Sequence, residues 1–379
     1  MRASCDILLI GGGVIGVGIA YHLARRRAGR IVLLEKAFLG AGGSGKAAGI
    51  LRRLDDGDAV APLARYSQRV YEHFPETIRG PAVFTRTGLI LFQPASPEEV
   101  ALPGLRPING LESMEIDPNL YFAENETGLY DPGAGTVDPV QVLAQFAEEA
   151  RRLGADLRQG VEVKTLVVEK GKVTGVETNE GPYACGAVVL AAGPWSAALA
   201  RGIKAVLPVR ACRSQKALFR RPLDLARRAV ICLDPAQGLY FKPAGGDAIE
   251  AGSLTVERET EVDPDQYDEA ADGEWLRSVR QRLSRRFPAL HRSYGRGGYG
   301  AVCAVTPDGS PILDRLPGIE AAWFAAGFGT EDVALAPAAG RLVSDMMLGG
   351  QPDDLDPAPF RLARFSKEEE IRPAPAAAS

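Results

Sequence analysis

The feature that most constrains the fold is a short apolar segment that runs directly into a cluster of glycines. Residues 5–10 are mostly apolar and of strand length, and Gly11, Gly13 and Gly16 follow with the spacing G-x-G-x-x-G. Residues 17–27 then have the pattern of a helix. In this order the glycines allow a tight turn, a close approach of backbone to a pyrophosphate, and close packing of helix on strand. The free N–H groups and the dipole at the helix start favour phosphate there.

A second strand and an acidic residue complete the pattern. Residues 31–34 are apolar, and Glu35 stands 19 residues after Gly16. A carboxylate here can accept hydrogen bonds from both hydroxyls of an adenosine ribose and repels a 2′-phosphate, which argues against NADP. We therefore predict a dinucleotide site that also includes Val14, Ile15 and Lys36. The alternative is a glycine-rich turn in an ordinary α/β domain.

Length and charge limit the possible classes of protein. The chain has 379 residues, which is too long for one simple core, so we expect two domains. The formal net charge of −4 gives no indication that nucleic acid or an anionic membrane surface is a partner. No run of about 20 uninterrupted apolar residues occurs, so we expect no membrane span.

Cysteine and histidine are sparse, which bears on metals and on the cellular compartment. No C-x-x-C pair is formed by the five cysteines, at positions 5, 185, 212, 232 and 303. This pattern is typical of reduced thiols in a cytoplasmic protein. The three histidines, at 22, 73 and 291, have no metal-binding spacing, so we expect no metal site. The N-terminal residues lead straight into the glycines, and we interpret them as mature structure rather than a signal peptide.

A second segment rich in glycine and small residues spans residues 40–49. It suits a backbone that lies against a flat or phosphorylated ligand, with Ser44 and Lys46 available to phosphates. A flexible surface loop is the alternative. Arg52 and Arg53 follow, and one guanidinium there could bind a substrate carboxylate, although either residue taken alone would be a surface charge.

The remaining chain changes in character after Leu207. Before it, a buried strand at 187–190 ends in Gly193-Pro194, which brings backbone close to a bound ligand. After it, an antiparallel sheet is indicated by short strands between turns, at 217–219, 230–233, 239–242 and 248–252. We expect residues 94–118 to be irregular. The tail at 351–379, rich in Pro, Ala and charge, is expected to be loosely ordered.

Five motifs occur together in the order of a known family. They are the glycine cluster with Glu35, the segment 44–52, Ala191-Ala192-Gly193-Pro194-Trp195, Thr306-Pro307-Asp308-Gly309-Ser310-Pro311 and Ala326-Gly327-Phe328-Gly329. Together they resemble the FAD-dependent D-amino-acid oxidase superfamily, in its glycine oxidase and sarcosine oxidase branch. The resemblance covers almost all of residues 5–348, and it is specific for the superfamily rather than for a substrate.

The resemblance implies an α/β fold (α+β overall), with a Rossmann-type FAD-binding domain and a second, mostly antiparallel sheet as the substrate domain. The FAD-binding domain would be discontinuous, at about 1–80, 138–207 and 300–350, and the substrate domain would comprise about 81–137 and 208–299. The family pattern implies that FAD is held by Gly11, Gly13, Gly16, Glu35, Gly43, Ser44, Lys46, Ala47, Ala48, Gly49, Val163, Ala192, Gly193, Trp195, Gly327, Gly329, Thr330, Glu331 and Asp332. The helix start after Gly327 would stabilise negative charge on the reduced flavin.

The chemistry implied by the family is oxidation of an amine C–N bond. Hydride passes from the α-carbon to flavin N5, and water hydrolyses the resulting imine. We expect a small amino acid or N-methyl amino acid as substrate and oxygen or another carrier as electron acceptor. A homo-oligomer or a partner subunit is left open. Two alternatives are oxidation of a 2-hydroxy acid, which would favour a histidine at the flavin, and a flavin-carrying subunit of a larger complex with a degenerate substrate pocket.

Two positions depart from the family pattern. Many relatives have Ser-Gly-His-Gly at the last helix start, whereas this chain has Gly329-Thr330-Glu331-Asp332. These carboxylates either cap the helix or contact a cationic amine. Cys303 stands where some relatives place a carboxylate-binding arginine or a tyrosine, and it is either functional or a small buried hydrophobe.

The departure at Cys303 determines which residues we expect to contact the substrate. The covalent flavin cysteine of relatives would align nearer Ala301, so we expect FAD to be bound non-covalently. Arg52 becomes the candidate carboxylate anchor, with Tyr240 and Lys242 as pocket residues. The candidate catalytic residues are therefore Arg52, Tyr240, Lys242, Cys303 and Glu331.

Overall fold

The strand that precedes the glycine cluster lies near the middle of a parallel sheet. A computed structural model describes residues 3–54, 57–93, 104–124, 126–222, 230–256, 260–350 and 354–365. In these ranges no helix combines the length and the apolar character that a bilayer crossing needs.

The elements are numbered in chain order. The strands are β1 (Ala3–Ile10), β2 (Ile31–Glu35), β3 (Ile50–Leu51), β4 (Phe84–Arg86), β5 (Leu89–Gln93), β6 (Arg106–Ile108), β7 (Thr127–Asp131), β8 (Gly135–Val137), β9 (Asp156–Gln159), β10 (Val163–Glu169), β11 (Lys172–Thr178), β12 (Gly181–Leu190), β13 (Arg210–Arg220), β14 (Ile231–Asp234), β15 (Leu239–Pro243), β16 (Ala248–Ser253), β17 (Gly295–Val305), β18 (Ile312–Arg315) and β19 (Ala322–Ala326). The helices are α1 (Val14–Arg25), α2 (Ala61–Glu72), α3 (Phe74–Ile78), α4 (Gly110–Ile116), α5 (Pro139–Arg152), α6 (Ser196–Gly202), α7 (Gly273–Arg286) and α8 (Asp332–Met347).

The first sheet has a parallel centre with the strand order β9-β2-β1-β12-β19. Leu8 and Leu9 of β1 point to opposite faces and are both fully buried, because each face of a parallel sheet is covered. Helices α1, α5 and α8 pack into the core on one face. The antiparallel hairpin β10–β11 and helix α6 cover the other face. This is the predicted Rossmann-type arrangement.

The second sheet has the order β17-β13-β16-β15-β14-β5-β7-β6 and is antiparallel except where β14 runs beside β5. Helix α7 covers one face through Val279 and Leu283, which are buried with Phe241 of β15. A small sheet, β3-β8-β4, adjoins these layers. The predicted antiparallel sheet is therefore present.

The strand pairing moves one predicted domain boundary. Residue 300 lies inside β17, which pairs with β13 as far as Val305. The glycine-rich residues 295–300 belong to this strand because β13 supplies their backbone hydrogen-bond partners. The division into two discontinuous domains stays a prediction, with this boundary placed after Val305.

Two segments expected to lack regular order are more ordered than their composition indicates. Residues 106–116 contain β6 and α4, so the expectation for 94–118 is wrong there; residues 94–103 lie outside the described ranges. The Asn109 side chain accepts from the amides of Leu111 and Glu112, and the Glu112 side chain accepts from the Asn109 amide. This capping box stabilises the start of α4.

The C-terminal tail is also packed where it is described. In residues 354–365 the side chains of Leu355, Phe360 and Phe365 are buried. Arg361 forms an ion pair of 2.7 Å with Asp314 of β18. The expectation of loose order is therefore wrong for 354–365, because apolar anchors offset the cost of ordering the segment. Residues 351–353 and 366–379 lie outside the described ranges.

Candidate functional site

A cavity of ≈760 Å³ lies between the carboxyl ends of β1, β2 and β12 and the face of the second sheet. The predicted FAD-binding residues that line it are Gly11, Gly13, Ile15, Glu35, Lys36, Gly43, Ser44, Lys46, Ala47, Ala48, Val163, Ala192, Gly193, Trp195, Gly327, Gly329, Thr330, Glu331 and Asp332. The candidate catalytic residues that line it are Arg52, Tyr240, Cys303 and Glu331. Four predicted residues do not line the cavity, and the contacts that hold them elsewhere are described below: Val14, Gly16, Gly49 and Lys242.

The glycine cluster forms a backbone cradle that has no room for side chains. Gly11 has φ +110°, and a Cβ on it would stand 2.4 Å from the Ala191 carbonyl oxygen. A Cβ on Gly16 would lie 2.1 Å from the Gly11 oxygen, so Gly16 stands behind the cradle and allows α1 to pack against it. Val14 is fully buried, and only its amide faces this region. Gly49, with φ +64°, packs against Val137 instead of the cavity.

The N-terminus of α1 is open to an anion. Its N-cap residue, Gly13, has no side chain to cap it, and its first turn has no acidic residue. Glu35 at the end of β2 accepts hydrogen bonds from the amides of Gly12 (2.7 Å) and Ala37 (2.8 Å). These contacts fix the carboxylate at the cavity wall and leave acceptor sites on its oxygens for hydroxyl groups. A helix start whose N-cap is a glycine, beside an oriented carboxylate, fits the diphosphate and ribose of FAD.

Ser44 joins three distant parts of the chain at the cavity wall. Its hydroxyl accepts from the Val14 amide (3.1 Å) and donates to Asp332 Oδ2 (2.7 Å). Asp332 also accepts from the Val333 amide (2.9 Å). Burial raises the pKa of Asp332, and the two hydrogen bonds oppose that shift. Asp332 therefore ties the start of α8 to Ser44, whereas the N-cap residue Glu331 makes no side-chain cap hydrogen bond. The capping role of these carboxylates stays a prediction.

Two lysines expected near the cofactor have their ammonium groups bound to acidic residues of a later segment. Lys36 Nζ lies 2.5 Å from Asp265. Lys46 Nζ lies 2.8 Å from Glu269 and donates to the Tyr267 hydroxyl at 3.1 Å. Sequence analysis did not identify these partners, because more than 220 residues separate each pair.

Arg52 and Glu331 both line the cavity and form a long ion pair on its wall. Arg52 Nη2 lies 3.5 Å from Glu331 Oε1, and the two side chains are 33% and 37% exposed. At this length and exposure the pair is worth little to stability, because solvent screens it. Both charged groups therefore stay available to a ligand that brings its own opposite charges.

Cys303 is half-buried and lines the cavity, and its thiol is held by a backbone acceptor. Its Sγ donates to the carbonyl oxygen of Cys212, its direct partner on β13, at 3.4 Å. Burial raises the pKa of Cys303 to about 12, so the thiol is protonated at neutral pH. The hydrogen bond and the raised pKa support the structural alternative for Cys303, and its role stays a prediction.

A charged cluster on the second sheet includes a lysine that sequence analysis missed. Tyr240 donates to Glu250 Oε1 at 2.9 Å, and Lys216 Nζ lies 3.7 Å from the same oxygen. Lys216 lines the cavity and also donates to the Lys46 carbonyl oxygen. Burial lowers the pKa of Lys216, and Glu250 opposes the shift. Lys242, 3.9 Å from Glu250, turns into this cluster, so the prediction that it lines the pocket is wrong.

The position of Lys216 could have been predicted from the sequence by extending the predicted strand. It stands between Gln215 and Ala217 in a segment that forms one long strand, β13, whereas only residues 217–219 were predicted as strand. With the longer strand, the alternation of side chains places Lys216 and Ser214 on one face. Both residues line the cavity.

Comparison with known proteins identifies the class to which this fold and site belong. The family model described as "DAO: FAD dependent oxidoreductase" matches residues 6–346. The chain therefore belongs to this family, and it is an enzyme that uses FAD. The predicted superfamily, fold and cofactor are confirmed.

Individual relatives show which members of the family the chain resembles, but they do not define its substrate. The chain is 30% identical to a glycine oxidase of Pseudomonas putida over 94% of this chain and 98% of that protein. It is 27% identical to a glycine oxidase of Geobacillus kaustophilus over 95% and 97% of the two chains. The crystal structure of L-proline dehydrogenase from P. horikoshii superposes with a TM-score of 0.87 at 25% identity, covering 98% of this chain and 100% of that one.

Proposed function

We propose that this enzyme oxidises the C–N bond of a small amino acid or an N-methyl amino acid. Bound FAD would accept a hydride from the α-carbon of the substrate, which leaves an imine that water hydrolyses. The names of the relatives, glycine oxidase and L-proline dehydrogenase, support an amino acid as substrate. The observation that carries the proposal is the Arg52–Glu331 pair in the same cavity as the cradle for FAD.

This pair matches the two charges of a zwitterionic amino acid. The Arg52 guanidinium can bind the substrate carboxylate through two parallel hydrogen bonds. Glu331 then faces the substrate ammonium, and the partly exposed pair is weak enough for a ligand to separate. Arg52 orients the α-carbon, and Glu331 attracts the cationic amine before it loses its proton.

Oxidation of a 2-hydroxy acid receives less support from the cavity. That reaction favours a base near the hydroxyl group, and histidine is the usual one. No histidine is among the described residues that line the cavity, and His22 is buried in α1. A flavin-carrying subunit with a degenerate pocket is also less supported, because Arg52, Lys216, Tyr240 and Glu331 remain on the cavity wall.

The electron acceptor and the compartment belong to the same proposal. We propose that oxygen or another carrier reoxidises the flavin. The assembly stays open between a homo-oligomer and a complex with a partner subunit. A cytoplasmic location is supported by the five cysteines, at 5, 185, 212, 232 and 303, which form no disulfide.

Anaerobic reduction of the flavin tests the substrate class. The holoprotein is mixed without oxygen with glycine, sarcosine and proline, and in parallel with glycolate and lactate as matched hydroxy acids. We expect at least one amino acid to remove the flavin absorbance near ~450 nm, a general property of oxidised flavin, and the hydroxy acids to leave it unchanged. Reduction by the hydroxy acids alone would rule out the proposal.

A further inference from the structure

A strongly acidic segment of the chain borders the cavity. Residues 260–272, which we name the acidic strap, contain no lysine or arginine and six carboxylates: Glu261, Asp263, Asp265, Asp268, Glu269 and Asp272. Pro264, Asp265, Tyr267 and Glu269 line the cavity. The strap follows β16 and precedes α7, so it belongs to the part of the chain that builds the second sheet.

Both ends of the strap are fixed to β13. Near its start, the Val262 amide donates to the Ala211 oxygen at 2.8 Å, and Glu261 pairs with Arg210 at 3.4 Å. At its end, the Arg213 guanidinium donates to both carboxylate oxygens of Asp272, at 3.0 Å each. The strap is therefore fixed to the second sheet at both ends, and its middle extends away from that sheet.

The middle of the strap binds the first sheet at Asp265. Asp265 Oδ1 lies 2.5 Å from Lys36 Nζ and accepts from Trp195 Nε1 at 2.9 Å. Lys36 Nζ also lies 4.0 Å from the centre of the Trp195 ring. Burial opposes the charge on Asp265, but the hydrogen bonds from Lys36 and Trp195 hold its pKa below the usual range. The carboxylate is therefore ionised at neutral pH, and it links the residue after Glu35 to the residues that follow β12.

A second contact lies further along the strap, at the 40–49 segment. Lys46 Nζ binds Glu269 at 2.8 Å and the Tyr267 hydroxyl at 3.1 Å. Lys46 also donates to the Gly300 carbonyl oxygen at 3.3 Å. The strap therefore joins the second sheet to the 40–49 segment, in addition to Lys36 and Trp195.

We propose that the acidic strap is a clasp that retains FAD, and that Asp265 is the positioning residue that closes it. Lys36, Lys46 and Trp195 all line the cavity, and the strap forms a hydrogen bond with each of them. In this proposal these contacts must break before FAD leaves past the strap. An ammonium has three N–H donors, and Lys36 gives one of them to Asp265, so it can still donate to a phosphate. Lys46 gives its three donors to Glu269, Tyr267 and Gly300, so it fixes the strap instead.

The chemistry of the clasp makes FAD retention sensitive to salt. The side chain of Asp265 is 58% exposed and that of Glu269 is 69% exposed. Salt screens ion pairs at this exposure, since the Debye length falls from about 10 Å at 0.1 M to about 3 Å at 1 M. Added salt should therefore open the strap and speed the release of FAD.

The rate of FAD release tests the proposal independently of any substrate. Holoprotein is mixed with an excess of an apoflavoprotein that traps free FAD, and the transfer is followed by flavin fluorescence. We expect Asp265→Asn to release FAD about tenfold faster than the unchanged protein, because two charge-assisted contacts weaken. Glu269→Gln should give a smaller increase, and the double variant a larger one.

A matched control distinguishes loss of the clasp contacts from a general loss of negative charge on the strap. Glu261→Gln removes one charge from the same strap, but Glu261 pairs with Arg210 on β13 and does not line the cavity. Its release rate should stay within about twofold of the unchanged protein. Unchanged or slower release from Asp265→Asn, or equal acceleration by both variants, would overturn the proposal.

The unchanged protein supplies a second measurement that does not depend on the variants folding. Raising sodium chloride from 0.05 M to 0.5 M should speed FAD release about threefold. Release that is independent of salt would contradict the clasp whatever the behaviour of the variants.

Discussion

At the cofactor end of the cavity the chain meets the ligand with its backbone, whereas at the substrate end it presents charged side chains. The cofactor end consists of Gly11, Gly13 and the start of α1, where a Cβ on Gly11 or Gly16 would collide with backbone. The substrate end holds the weak Arg52–Glu331 pair and the cluster around Glu250. The first arrangement tolerates almost no substitution, and the second can change its specificity without losing FAD.

The largest effect is expected at the cofactor end, from Gly16→Ala. The added Cβ would lie 2.1 Å from the Gly11 oxygen, so the cradle must move away from α1. Overpacking of this kind costs roughly 1–3 kcal/mol, and we expect FAD affinity to fall by about 100-fold. Titration of the apoprotein with FAD measures the change.

A glycine on β17 provides the matched control. Gly295 has open space where a Cβ would stand, so Gly295→Ala should bind FAD within about twofold of the unchanged protein. Full affinity for FAD in Gly16→Ala would contradict the claim that the cofactor end tolerates almost no substitution.

The smallest effect is expected at the substrate end, from Cys303→Ser. Burial raises the pKa of Cys303 to about 12, so a thiolate forms only well above neutral pH. A serine hydroxyl can donate the same hydrogen bond to the Cys212 oxygen. The rate of anaerobic flavin reduction should therefore change less than about threefold. A loss beyond about 30-fold with full FAD content would give Cys303 a functional role.

The same contrast explains what the sequence could predict. The cradle depends on residues close together in the chain, so the spacing of Gly11, Gly13 and Gly16 was sufficient to find it. The capping box at Asn109 and Glu112 was equally local, and a search for that spacing would have predicted α4.

The other contacts depend on tertiary packing that no local pattern encodes. Ser44 meets Asp332 across 288 residues, and Lys46 meets Glu269 across 223. Lys216 acquires its position only when β13 pairs with β16 and β17. The sequence therefore predicted FAD correctly, and it singled out Arg52, which lines the cavity and whose role stays a proposal. Lys216 and the acidic strap were missed, and Lys242 was misplaced.

The central claim is that Arg52 binds the substrate carboxylate in a cavity whose FAD is held independently. The most direct test compares the amino acid concentration that gives half-maximal anaerobic flavin reduction in Arg52→Gln and Arg53→Gln. Arg53 is the matched control, because its guanidinium lies 3.8 Å from Asp131 and the residue does not line the cavity.

Loss of a charge-assisted pair costs about 1.5–3 kcal/mol, so Arg52→Gln should raise this concentration about 10-fold to 100-fold with unchanged FAD content. Arg53→Gln should stay within about twofold. Equal effects of the two substitutions, or loss of FAD from Arg52→Gln, would contradict the claim.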